Sequence, residues 1–231
     1  MNLLTDSLIS ALHLVVSLDA EMFSIVFFSL KVSSTSTLVA SLIGIPLGFF
    51  IAFKSFPGKP LVLTILNTLL ALPTVVIGLF VYSFIARRGI FGSLGLLYTQ
   101  KAIIIGQTLL VLPIVATFTI AAISRIDTRY RKTAMTLGAT QIQTAVVLFR
   151  EARFGIIAAV IAAFGRVIAE VGISMMLGGN AKGFTRTMTT AMALEYDKGE
   201  FTLAVALGII LLTVSFLINL LFHSLQGRSR I

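Results

Sequence analysis

Five runs of mostly apolar residues, at about 25–53, 61–86, 102–123, 154–177 and 201–222, dominate the chain. Each is long enough for a helix to cross a bilayer core of about 30 Å, which takes about 20 residues. The whole sequence is 57% hydrophobic and 12% charged. A soluble domain sits near ~45–50% and ~25%, and could not hide this much apolar surface. No run alternates apolar and polar residues as a membrane β-barrel strand does. Helices are the other way to satisfy every backbone group in lipid, so the expected fold is an all-α membrane protein forming a single bundle.

The polar connections sort by charge. The loop 54–60, the loop 124–153 and the tail hold Lys54, Lys59, Arg125, Arg129, Arg131, Lys132, Arg150, Arg153, Arg228 and Arg230, ten basic residues. The opposite connections hold six, namely Arg87, Arg88, Lys101, Lys182, Arg186 and Lys198, together with Asp6, Asp19, Glu21, Glu195, Asp197 and Glu200. Cytoplasmic loops collect Lys and Arg, so the first set is expected inside. That places the N-terminus outside and the C-terminus inside, in the cytoplasmic membrane, and requires an odd number of spans. The same rule accounts for the net charge of +9 without nucleic acid, for which no basic stripe with interleaved aromatics is present.

Residues 1–20 read as a short amphipathic helix lying at the interface, with a true first span as the alternative. No signal-peptide pattern is expected there. Residues 21–225 form the transmembrane domain and 226–231 a cytoplasmic tail. Gly44, Pro46 and Gly48 predict a kink near the inner end of the first span, while Pro73 and Pro113 fall inside the second and third. Residues 89–100 form a Gly-rich loop. The middle of the 124–153 loop reads as one or two short amphipathic helices divided by Gly138. No internal repeat is evident, which disfavours an inverted-repeat secondary transporter.

Little in the chain can do chemistry. There is no cysteine, and His13 and His223 lie near opposite ends, so no metal site is expected. No phosphate-binding G-x-x-x-x-G-K-[ST] loop occurs, nor a Ser–His–Asp set, so ATP hydrolysis would belong to another subunit. Arg166 and Glu170 are the notable pair. A charge at a helix centre costs about 2.5–3.5 kcal/mol, and i,i+4 spacing puts both on one face. One reading is a pathway or gate lining, continued outward by Gly172 and Ser174. The plainer one is an intrahelical salt bridge that fixes packing. In the connection 178–200, Lys182, Thr185, Arg186, Thr187, Thr189 and Thr190 supply donors suited to an oxyanion, to a docking protein, or to water in a plain loop.

The run Lys132-Thr133-Ala134-Met135-Thr136-Leu137-Gly138-Ala139 resembles the E-A-A-x-x-x-G loop of ABC importer permeases. It departs from that pattern in having Lys132 at the acidic position and Thr133 in place of Ala. LGFFIAFKSFPGKP and FGRVIAEVGIS are similar to motifs of the molybdate-type permeases, and GGNAKGFTRTMTTAMALEYDKGEF resembles more narrowly the tungstate-specific ones. The likeness covers about residues 25–225. It implies the transmembrane domain of a type I ABC importer, with about five transmembrane helices, an N-terminal interfacial helix and a cytoplasmic coupling helix. Arg131, Lys132, Thr133, Ala134, Gly138 and Ala139 would then dock on the ATPase. Implied partners are two ATPase subunits carrying ATP and Mg, a periplasmic or lipid-anchored oxyanion-binding protein, and a second copy of the chain, in a prokaryotic inner membrane. The expected cargo is tungstate, with molybdate, sulfate or another small solute as alternatives. An ATP-independent transporter or channel is the alternative of another class.

Overall fold

The computed structural model describes residues 3–17 and 19–227, with side chains over 9–17 and 19–221, and every regular element among them is helical. In order these are α1 (Leu3–Val16), α2 (Ala20–Phe53), α3 (Lys59–Leu70), α4 (Thr74–Ile85), α5 (Gln100–Ser124), α6 (Thr128–Thr136), α7 (Gln141–Ile168), α8 (Gly172–Gly178), α9 (Met188–Lys198) and α10 (Phe201–Gly227). Arg228 and Arg230 of the basic tail lie outside the described residues.

Three helices, α2, α5 and α10, are long and apolar enough to cross a membrane alone. Two further spans are bent pairs, α3 with α4 at 100° and α7 with α8 at 60°. The sequence predicts one continuous helix for each of these spans, and the structure breaks both. The first has a local cause. Pro73 lacks an N–H and disfavours helical backbone at Leu72. Pro73 is therefore the extended N-cap of α4, at φ −62° and ψ 135°, rather than a residue inside a helix.

Both bent pairs still run from one end of the bundle to the other. Leu66 of α3 packs against Ala116 and Ile120 in the C-terminal half of α5. Ile85 at the end of α4 joins the core cluster that holds Ala102 at the start of α5. At the far end of α8, the Leu177 carbonyl accepts from the Tyr98 N–H at 2.9 Å, just before α5 begins. Counting each bent pair as one span gives up to five crossings. α1, 14 residues long, reaches only about 21 Å and is too short for one. It packs against α10, with Ala11 buried in one cluster with Met22, Ala206 and Leu207.

α2 against α5 is the central contact. A Cβ at Gly48 would sit 2.5 Å from the Ala116 carbonyl oxygen and 2.9 Å from Thr119 Cβ, and one at Gly44 would sit 3.1 Å from Val115. The residues expected to mark a kink are thus a close-approach face, while the helix continues through Pro46. At one end of the bundle Lys54 Nζ donates to Gln141 Oε1 at 3.1 Å, and the Arg131 guanidinium lies 4.9 Å over Phe53. At the other, Lys182 pairs with Glu21 at 2.7 Å and Lys31 Nζ donates to Gln100 at 3.4 Å. The two groups of loops separated by charge in the sequence occupy opposite ends.

Candidate functional site

The 124–141 loop contains α6, N-capped by Asp127, whose carboxylate accepts from the Arg129 N–H at 2.8 Å. Its C-terminus is a Schellman turn. The Gly138 N–H donates to the Met135 carbonyl and the Ala139 N–H to the Ala134 carbonyl, both at 3.0 Å. Gly138 has φ +81°, a backbone state that costs other residues. Thr140 then caps α7 in a reciprocal capping box with Gln143. The corner at Gly138 falls where the sequence predicts it, but only α6 is a short loop helix: residues 141–153, expected in the loop, are the first turns of the 28-residue α7 that continues into the fourth span. The loop's apolar side chains find little cover in the chain. Tyr130 is 45% exposed, Met135 56%, Leu137 82% and Ile142 78%. Arg131, Lys132 and Thr133 are exposed around them, while Ala134 and Ala139 are half-buried. Tyr130, Thr133, Ala134 and Leu137 line an apolar cleft of about 400 Å³ against Val147 of α7. A helix presented this way suits seating in a groove of another protein.

Arg166 and Glu170 do meet, with Nη1 and Oε2 2.7 Å apart. They do so differently from the expected helical pair. α7 ends at Ile168, so Glu170 lies in the break before α8. Its side chain is 3% exposed and that of Arg166 is 40% exposed. The other carboxylate oxygen accepts from the Ile173 N–H at 3.2 Å, and the Glu170 carbonyl accepts from Thr189 Oγ1 at 2.7 Å. One residue thus ties the end of α7, the start of α8 and the start of α9. A Cβ at Gly172 would lie 3.1 Å from Thr74 Oγ1, so the breaks in the two bent spans abut. Ser174 does not continue the Arg166 face. It is fully buried and accepts from Gln107 Nε2 at 3.3 Å, while Gln107 Oε1 accepts from Ser36 Oγ at 3.0 Å. This Ser36–Gln107–Ser174 chain joins α2, α5 and α8. The sequence reading missed Gln107, although a lone amide inside an apolar helix was a visible mark of it.

The threonines of the 178–200 connection are occupied. Thr185 is fully buried, donates to the Gly178 carbonyl at 2.6 Å and accepts from the Ala181 N–H at 3.0 Å. Thr187 and Thr190 form the capping box of α9, and Thr189 holds Glu170. Lys182 is paired with Glu21. Of the expected outer contacts, only the Arg186 side chain lacks a hydrogen-bond or ion-pair partner among the described residues, and its Nε is buried.

The described residues form a helical bundle with three spanning helices and two bent pairs, and carry a capped helix, α6, with no buried residue at one end. Residues 44–231 match the family of binding-protein-dependent transport system inner membrane components, and the chain belongs to that family. It is 38% identical, over 98% of its length and 99% of the relative's, to the tungstate uptake system permease protein TupB of Peptoclostridium acidaminophilum. It is likewise 38% identical to TupB of Campylobacter jejuni, over 96% of this chain and 92% of that one. Its fold matches a crystal structure of a bacterial ABC transporter that imports the acidic polysaccharide alginate, with TM-score 0.75 at 19% identity over 94% of this chain and 82% of that one. The fold is the transmembrane domain of a type I ABC importer, and the chain is its non-catalytic permease subunit, which works with an ATPase and a binding protein.

Proposed function

We propose that the chain is the permease of a tungstate importer, passing the oxyanion from an extracytoplasmic binding protein to the cytoplasm. The observation that carries the coupling part is α6, whose apolar side chains Tyr130, Met135 and Leu137 are exposed beside a fixed Schellman corner. The cargo is supported by the full-length likeness to the two tungstate uptake permeases.

In this reading the loop 124–153 faces the cytoplasm, the 178–200 connection faces outward, and the N-terminus is outside. Two copies enclose the pathway and dock two ATPase subunits, which hold the ATP and Mg; the chain itself uses no cofactor. ATP binding draws the two α6 helices together and opens the pathway outward, and nucleotide release resets it. The break at 169–171, held by Arg166 and Glu170, is where such a rearrangement would bend the fourth span. Lys182 and Arg186 lie on the side that receives the binding protein.

The test is uptake into proteoliposomes holding the permease, its ATPase and its binding protein. Tungstate accumulation should require ATP and be outcompeted weakly, if at all, by sulfate. Uptake that persists without the ATPase would refute the coupling reading. Equal competition by sulfate would refute the cargo.

A further inference from the structure

Beside the outer loop lies a pocket of about 230 Å³ between α2, the start of α5 and the segment 183–186. Two cations line it, Lys31 and Arg186, with Gln100, Ser24, Phe28 and Phe184, and no carboxylate does. Lys31 Nζ has one partner, the Gln100 side-chain oxygen at 3.4 Å, longer than a charged donor ordinarily takes. The Arg186 guanidinium has none among the described residues, and its buried Nε is left without an acceptor. Glu21 does not line the pocket, and its Oε1 pairs with Lys182 at 2.7 Å.

The pocket is built rather than incidental. The Arg186 N–H donates to the Ala181 carbonyl at 3.1 Å, and Thr185 anchors the same turn through Gly178 and Ala181. Arg186 is therefore held at its backbone while its fork of donors points to no protein acceptor. An unpaired buried donor costs about 1–3 kcal/mol, more when charged, and a bound anion removes that cost. The volume is roughly that of eight waters, enough for a tetrahedral oxyanion with part of its hydration shell.

We propose that Lys31 and Arg186 form an oxyanion-binding pocket at the outer end of this permease, with Gln100 and Ser24 as neutral hydrogen-bonding groups. The shared chemistry is a tetrahedral oxygen-bearing anion, supplied either as free tungstate or as the phosphate of an anionic lipid. The choice of end and of free ligand rests on the importer reading above; the pocket itself does not.

The test uses the full chain in nanodiscs. Tungstate binding is measured by equilibrium dialysis in discs of phosphatidylcholine alone, and retained lipid by native mass spectrometry in discs containing phosphatidylglycerol. The variants are Lys31→Gln, Arg186→Gln and their combination, with Lys31→Arg as the charge-keeping control. Lys31 is exposed, so its variants should fold even where Arg186→Gln does not. The expected result is tungstate binding weakened at least tenfold by Lys31→Gln and further by the double change, and retained by Lys31→Arg. Loss of retained phosphatidylglycerol in the same variants, with tungstate failing to bind the wild type, would support the pocket with lipid phosphate as its ligand. Equal retention of both anions by wild type and variants, or binding of neither, would overturn it. ATP-driven uptake by the wild-type complex separates the two claims. Uptake with no pocket binding sinks the pocket alone, and pocket binding with no oxyanion uptake sinks the importer reading alone.

Discussion

Arg166 and Glu170 differ in burial, and this makes the effect of breaking their contact asymmetric. Replacing Arg166 with Met leaves a carboxylate that is 3% exposed, with the Ile173 N–H as its remaining donor. Leaving a buried charge uncompensated costs about 3–5 kcal/mol. Arg166 is 40% exposed, so part of its interaction is already screened, and the lower end, about 3 kcal/mol, is expected. Replacing Glu170 with Gln keeps an acceptor for Ile173 and leaves an arginine that can turn to water, so about 1 kcal/mol is expected. The double variant should cost about as much as Glu170→Gln alone, giving a coupling of about 3 kcal/mol. The assay is thermal unfolding of the purified chain in one detergent, where each kcal/mol shifts the midpoint by about 2–4 °C for a chain of this size. The same variants are assayed for ATP-driven uptake, which Glu170→Gln should impair while leaving insertion and assembly intact. A Glu170→Gln variant as destabilised as Arg166→Met would refute the asymmetry. Normal transport by a stable Glu170→Gln variant would refute a role for this break in the transport cycle.

Other positions give sharper yes-or-no outcomes. Gly48→Val places atoms against a carbonyl oxygen that already lies 2.5 Å from the Cβ position, so a loss of about 1–3 kcal/mol and lower yield in the membrane are expected. Gly165→Ala, where nothing lies within 4 Å, is its control and should unfold no earlier than wild type. Leu137→Asp, at a side chain 82% exposed, should leave the isolated permease unchanged while abolishing ATPase co-purification; retained co-purification would remove α6 as the docking helix. Gly138→Val forces a β-branched residue to φ +81° and should uncouple ATP hydrolysis from uptake at a local cost of about 1–2 kcal/mol. Gln107→Leu removes contacts to Ser36 and Ser174 at 3.0 and 3.3 Å, and should lower the unfolding midpoint by about 2–6 °C.

What the sequence disclosed depended on how local the physics was. The span positions followed from runs of apolar residues, because burial in lipid acts on each run separately. The corner at Gly138 was legible for the same reason: a left-handed residue after a short amphipathic segment is a local event. The break at Pro73 had a local cause too, yet a proline inside a membrane helix is compatible with either a bend or a continued helix. Only the packing of α3 on the far half of α5 and of α4 on its near half decides for the bend. The break at 169–171 has no proline and no cap preference to announce it. It becomes stable because Glu170 reaches back to Arg166, forward to Ile173 and across to Thr189, and the last of these is 19 positions away.

The 178–200 connection shows the same limit from the other direction. Its lysine, arginine and threonines were read together as one set of donors, since composition cannot say which donors are already used. The fold spends Thr185, Thr187 and Thr190 on turns and caps, and Lys182 on Glu21. It leaves Arg186 lining one pocket with Lys31, a residue of α2 155 positions earlier. Taken alone, Lys31 is a single cation in a long apolar helix. Its meaning changes once α5 places Gln100 against it and the 183–186 segment closes the side, because two like charges that line one pocket repel each other. Occupancy by an anion relieves that repulsion. For this reason Lys31→Gln should stabilise the anion-free chain slightly while weakening its anion affinity, opposite signs that a purely structural lysine would not give.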